Sequence, residues 1–131
     1  MKLLKVIPLF LLVFSGSAFS HDPLTTDAMN LARAAHHFAG LVRYKTGYSH
    51  LYYDAKKVAF IASGLTSSVA SSSNPVVVKS QFRKVKTRFL QLSHQMRHAH
   101  TLHHNRHIQH DFFRLKDSFY RLEHTVRNSV Y

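Results

Sequence analysis

Apolar side chains recur every three or four positions along most of the chain, and two-residue alternation is hard to find over more than a few residues. That rhythm predicts amphipathic helices, not strands. A first helix is expected from about Asp27 to Arg43, with an alanine-rich inner face at Ala28, Ala32, Ala35, Ala39 and Val42. Thr25, Thr26 and Asp27 offer oxygens to cap its start. After the break at Lys45-Thr46-Gly47, a second helix begins near Ser49 and repeats Leu51, Ala55, Val58, Ala62, Leu65 and Val69 in four-three spacing.

The run Ser71-Ser72-Ser73-Asn74-Pro75 reads as a linker, because serine and asparagine compete for backbone hydrogen bonds and proline removes a donor. A third helix carries Val78, Phe82, Val85, Phe89, Leu92, Met96 and Ala99, with His103 next in phase. Ile108, Phe112, Leu115, Phe119, Leu122 and Val126 resume the stripe out of phase, which places a break near His103 to Arg106 and a fourth helix after it. The expected fold is all-α, an antiparallel four-helix bundle made of two helical hairpins. The competing architecture is one long bent helix, since no glycine or proline lies between Val76 and the C-terminus.

An offset of 57 residues lays the stripe of the second helix onto that of the fourth, from Leu51 on Ile108 to Val69 on Val126. It also lays His37 on His94, His50 on His107 and Asp54 on Asp111. Any two heptad helices align in their apolar positions, so the polar matches are what argue for duplication of a hairpin.

The first 20 residues change the picture of where this bundle works. Lys2 and Lys5 precede a short apolar run, Val6 to Phe14, and small residues from Ser15 to Ser20 follow it. This is the layout of a cleavable secretory signal, with cleavage expected before His21. Residues 21–131 then form a single helical domain, with no transmembrane segment, exported to the periplasm or beyond. The chain has no cysteine, so no disulfide supports it in an oxidising compartment and packing must supply the stability. The signal takes two of the 18 basic residues and none of the six acids, leaving a net charge of +10 with histidines neutral. Most of that charge falls after residue 75, as do eight of the twelve histidines.

Seven histidines lie within 17 residues: His94, His98, His100, His103, His104, His107 and His110. His94 and His98 are four apart, as are His100 and His104, a spacing that presents two imidazoles to one ion on a helix. A turn near His103 to Arg106 would gather several at one end of the bundle. Imidazole suits zinc, copper or nickel, and Asp111 is the expected partner orienting a ligand histidine. The leading expectation is thus an exported transition-metal-binding protein for buffering, delivery or sensing. The competing explanation is a solvated polar surface, favoured by the cationic neighbours Arg97 and Arg106.

A second expectation uses charge in place of coordination. Lys79, Arg83, Lys84, Lys86 and Arg88 flank the apolar stripe of the third helix and form an anion-binding run, suited to lipid headgroups, lipopolysaccharide or an acidic protein. Histidine ordinarily titrates near ~6.5, so mild acidification would strengthen such binding. Nucleic acid ranks lower because it is scarce outside the cytoplasm, although Tyr44, Tyr48, Tyr52 and Tyr53 gather at the first turn. Cleavage before His21 would create an amino group beside an imidazole that can chelate copper. The layout, with Met29 early in the first helix and His124 late in the last, resembles the b-type four-helix cytochromes and implies haem; both residues lie off the apolar stripes. Enzyme chemistry has little support: no nucleophile with a base partner, no carboxylate pair at hydrolase spacing and no glycine-rich phosphate loop is evident, and His50/Asp54 and His107/Asp111 suit helix-start bracing better than acid-base work.

Overall fold

A computed structural model describes residues 23–45, 48–71 and 74–129. The expected export signal, the cleavage point and the His21 chelate lie outside the described residues. Four helices account for nearly all of it: α1, Pro23–Lys45; α2, Ser49–Ser71; α3, Pro75–His98; and α4, Arg106–Ser129. A 3-10 turn, His100–His104, joins the last two. There is no strand among the described residues.

The boundaries follow local chemistry. Asn74 adopts an extended conformation, and its side chain accepts from the Val76 N–H at 2.9 Å while Pro75 fills the first helical position. Asn105 does the same for α4, since its Oδ1 accepts from the Ile108 N–H at 3.1 Å. Between the two caps the turn needs neither glycine nor proline. Leu102 is buried under the bundle end and its carbonyl accepts from the Asn105 N–H and from Gln109 Nε2. These bonds hold the reversal that the register shift predicts, and they exclude a single bent helix over residues 76–128. The shift itself falls slightly earlier than expected: α3 stops at His98, and Leu102 takes the buried place that the spacing assigned to His103.

The start of α1 also differs from expectation. The helix begins at Pro23, four residues before Asp27, because proline is pre-set for a first turn. Thr25, Thr26 and Asp27 therefore lie inside the helix rather than before its start. Asp27 instead accepts a hydrogen bond from the Thr125 hydroxyl of α4 at 2.5 Å.

Pairings between helices run antiparallel. On the α1/α4 side Asp27 meets Thr125 and His37 meets Asp111; on the α3/α4 side Phe89 stacks on Phe119 and Lys86 meets Glu123. At one end, the Tyr48 hydroxyl bonds Thr101 Oγ1 at 2.5 Å and ties the start of α2 to the 3-10 turn. The core is asymmetric. Ala28, Ala32, Ala35 and Ala39 of α1 face Ala55, Ala59 and Ala62 of α2, so those backbones approach closely, whereas α3 and α4 stand apart with rings between them. Phe89 lies 4.2 Å from Phe119, centroid to centroid and nearly parallel, and Phe82 stacks on Phe119 at 5.8 Å. None of the helices is long and apolar enough to cross a membrane.

Two substitutions test this packing by equilibrium unfolding in urea. Phe89→Ala empties the centre of the ring stack and is expected to destabilise by about 3 to 5 kcal/mol. Gly64→Ala is expected to stabilise by roughly 0.5 to 1 kcal/mol, because the residue is exposed within α2 and an added Cβ meets no heavy atom within 4 Å.

Candidate functional site

The end of α3, the 3-10 turn and the start of α4 carry all seven clustered histidines, and every one of them is exposed. His94 and His98 are neighbours on the last turns of α3, with ring centroids 4.3 Å apart, and His98 Nδ1 donates to the His94 carbonyl at 2.9 Å. His100 and His103 meet edge to face at 5.4 Å on the 3-10 turn. His104, His107 and His110 lie exposed on the following residues. The result is a histidine-studded end of the bundle with pairs of rings. Among the described residues, no group of three or more His, Asp or Glu side chains is placed to hold a metal ion. The chain changes from α to 3-10 and back to α within these residues, and all seven side chains are exposed.

Asp111 does not orient a cluster histidine. It points across to α1, where its Oδ1 accepts from His37 Nδ1 at 2.8 Å. Its side chain is 9% exposed, against 68% for that of His37. The other oxygen, Oδ2, is buried without a hydrogen-bond partner.

The anion-binding run divides around α3. Lys86 turns to α4 and pairs with Glu123 at 2.9 Å, while Lys84 faces α2 beside Phe60 and Ile61. Arg88 bonds Gln91 Oε1 at 3.3 Å, Arg83 is exposed, and Lys79 is half-buried. These cations do not make one continuous surface. Arg97, Arg106 and the seven histidines do share one end, and the sequence between His94 and His110 contains no acid. Among the tyrosines, Tyr48 braces that same end, Tyr52 sits under Arg43 at 5.6 Å, and Tyr44 is exposed. Met29 and His124, on which the haem resemblance rests, are both exposed, and His124 Nε2 accepts from Asn128 Nδ2 at 2.9 Å.

Two polar grooves run between helices, and the 57-residue repeat relates them. One, of about 530 Å³ between α1 and α4, is lined by Arg33, His37, Asp111 and Arg114 among others. The other, of about 590 Å³ between α3 and α2, has Leu90, His94, Asp54 and Lys57 at the corresponding positions. Thus α1 packs on α4 as α3 packs on α2, and each groove holds a histidine and an aspartate drawn from different hairpins. His50, one helical turn before Asp54, also lines the second groove. Sequence reasoning had aligned His37 with His94 and Asp54 with Asp111, yet it paired each aspartate with the histidine four residues before it. Arg33 and Arg114 carried no sequence signal; only the antiparallel contact of α1 with α4 brings them together.

The His37–Asp111 bond generates a test. Replacing His37 by Ala removes the hydrogen bond to a buried carboxylate that already lacks a partner at Oδ2, and is expected to destabilise by about 1 to 3 kcal/mol. In a double-mutant cycle the loss should largely vanish when Asp111 is also Ala, because no buried acceptor remains to be left unpaired.

No protein family, curated protein or solved structure matches this chain, and its own residues are the ground for a functional reading.

Proposed function

We propose that this protein is an exported, non-enzymatic binding protein whose histidine-studded end attaches to anionic envelope components as the surroundings become mildly acidic. The carrying observation is the placement of charge. Seven exposed histidines with Arg97 and Arg106 occupy one end of the bundle; Asp111 is buried and turned toward α1, and Asp54 of α2 shares a groove with His94 alone of the seven. An imidazole that faces solvent gains a positive charge on acidification, and several gained together on one surface raise the attraction to phosphate-bearing or carboxylate-bearing surfaces. The core provides a rigid mount, and Tyr48 locks the turn to the opposite hairpin.

A second reading keeps the transition metal. It is favoured by one specific contact, the His94/His98 pair at 4.3 Å, in which the His98 Nδ1 bond to the His94 carbonyl sets that ring's tautomer and leaves Nε2 for an ion. Two imidazoles make an exchangeable site for zinc, copper or nickel, with the remaining positions open.

The two readings separate by experiment. Vesicles of phosphatidylglycerol in phosphatidylcholine are sedimented with the protein on either side of about pH 6.5. Binding is expected to be about tenfold or more tighter on the acidic side and to weaken with added salt. Changing His100, His103, His104 and His107 to Gln should reduce that pH dependence while leaving the salt-sensitive part carried by Lys and Arg. Equal binding on both sides of the pH range would sink the electrostatic reading. A stoichiometric metal adduct in native mass spectrometry, lost on His94→Gln with His98→Gln, would put the metal first.

A further inference from the structure

We infer that the groove between α1 and α4 is a binding site for a small zwitterion in which a primary ammonium lies a few bonds from a carboxylate or phosphate. This inference is independent of the histidine-studded end.

Some polar groups of the groove are satisfied within the protein and others are not. Asp117 is paired with Arg121 at 3.0 Å, and Asp27 accepts from Thr125, so these groups have partners within the protein. Two kinds of group are left. Arg33 and Arg114 line the groove and have neither an ion pair nor a hydrogen bond among the described residues. Asp111 Oδ2 is a buried acceptor with no donor, on a side chain more than nine-tenths buried that also lines the groove.

A buried carboxylate oxygen without a donor is unfavourable, and an N–H donor supplied by a ligand removes that penalty. A simple anion cannot do so, because it would meet Asp111 as a like charge. A simple cation would satisfy Asp111 but face two guanidinium groups. A molecule carrying both charges matches the groove: its anionic group takes the forked donors of Arg33 and Arg114, and its ammonium donates to Oδ2. His37, bonded through Nδ1 to Oδ1, holds the Asp111 carboxylate in place on the groove wall.

The related groove between α2 and α3 sharpens the assignment. There Leu90 replaces Arg33 and Lys57 replaces Arg114, so the forked pair of arginines is lost although the aspartate and histidine remain. Its Asp54 is also half-buried, without the orphaned oxygen of Asp111. The repeat thus offers an internal comparison in which the two arginines are replaced at their positions, while Lys57 and an Arg88 bonded to Gln91 line the groove.

Amide chemical shifts of the full protein, followed by NMR during titration with glycine and with O-phosphoethanolamine, test the assignment. Saturable changes are expected around residues 30–37 and 111–118 with at least one of the two, and none at residues 54–57 and 90–94. Phosphoethanolamine acting alone would identify a lipid headgroup as the source of the chemistry, and glycine acting as well would identify free amino acids. Glycine betaine, which keeps the charges but has no N–H to donate, should not bind. Asp111→Asn should weaken binding about tenfold or more, as expected for loss of a charge-assisted hydrogen bond. Arg33→Gln, at an exposed position where folding is not at stake, should weaken it comparably. Binding of betaine equal to that of glycine, undiminished affinity in Arg33→Gln, or no saturable change with either probe at millimolar concentration would overturn the assignment.

Discussion

Alanine lets α1 and α2 approach closely, and phenylalanine holds α3 and α4 apart, so a single core is narrow on one side and wide on the other. Most of what this protein presents to solvent depends on that constraint. A helix buried along one four-three stripe has no freedom to rotate, because turning it would expose the stripe and bury its charged neighbours. Once Val78, Phe82, Val85 and Phe89 are inside, Lys84 and Lys86 must lie on opposite flanks of α3. The basic run is divided by the same burial that stabilises the helix. Likewise, Ile108, Leu115 and Phe119 inside α4 turn Asp111 and Arg114 toward α1 and into the groove that it forms there.

The turn between α3 and α4 decides the fate of the histidines. It is built from Leu102, which anchors it in the core, and Asn105, which caps the next helix. With both anchored, the histidines between and around them are pushed outward, since the inward places are taken. A tightly built turn and a converged set of imidazoles compete for the same space. Here the apolar anchor holds the inside, and exposed imidazoles on one end are what remains.

The repeat adds a different kind of information. Related hairpins packed antiparallel generate two related grooves, and each groove combines side chains from both hairpins. Such a site is invisible within either hairpin alone. The differences between Arg33 and Leu90, and between Arg114 and Lys57, give the two grooves different chemistry.

Helices were legible in the residues because burial imposes a period that local sequence must obey: the stripe from Leu51 onward predicted α2, Pro75 marks the start of α3, and the phase shift after Ala99 predicted the break before α4. The start of α1 was less legible, since Pro23 and the capping oxygens of Thr25 to Asp27 offered rival beginnings. The polar partners were decided only in three dimensions. His107 and Asp111 look like a pair when the chain is read along one helix, but Asp111 is bonded to His37, 74 positions away. Spacing along a helix says which side chains share a face. Which helix that face meets, and at what height, is set by core packing and by the turn that reverses the chain, and these determine both the pairing of Asp111 and the grouping of Arg33 with Arg114.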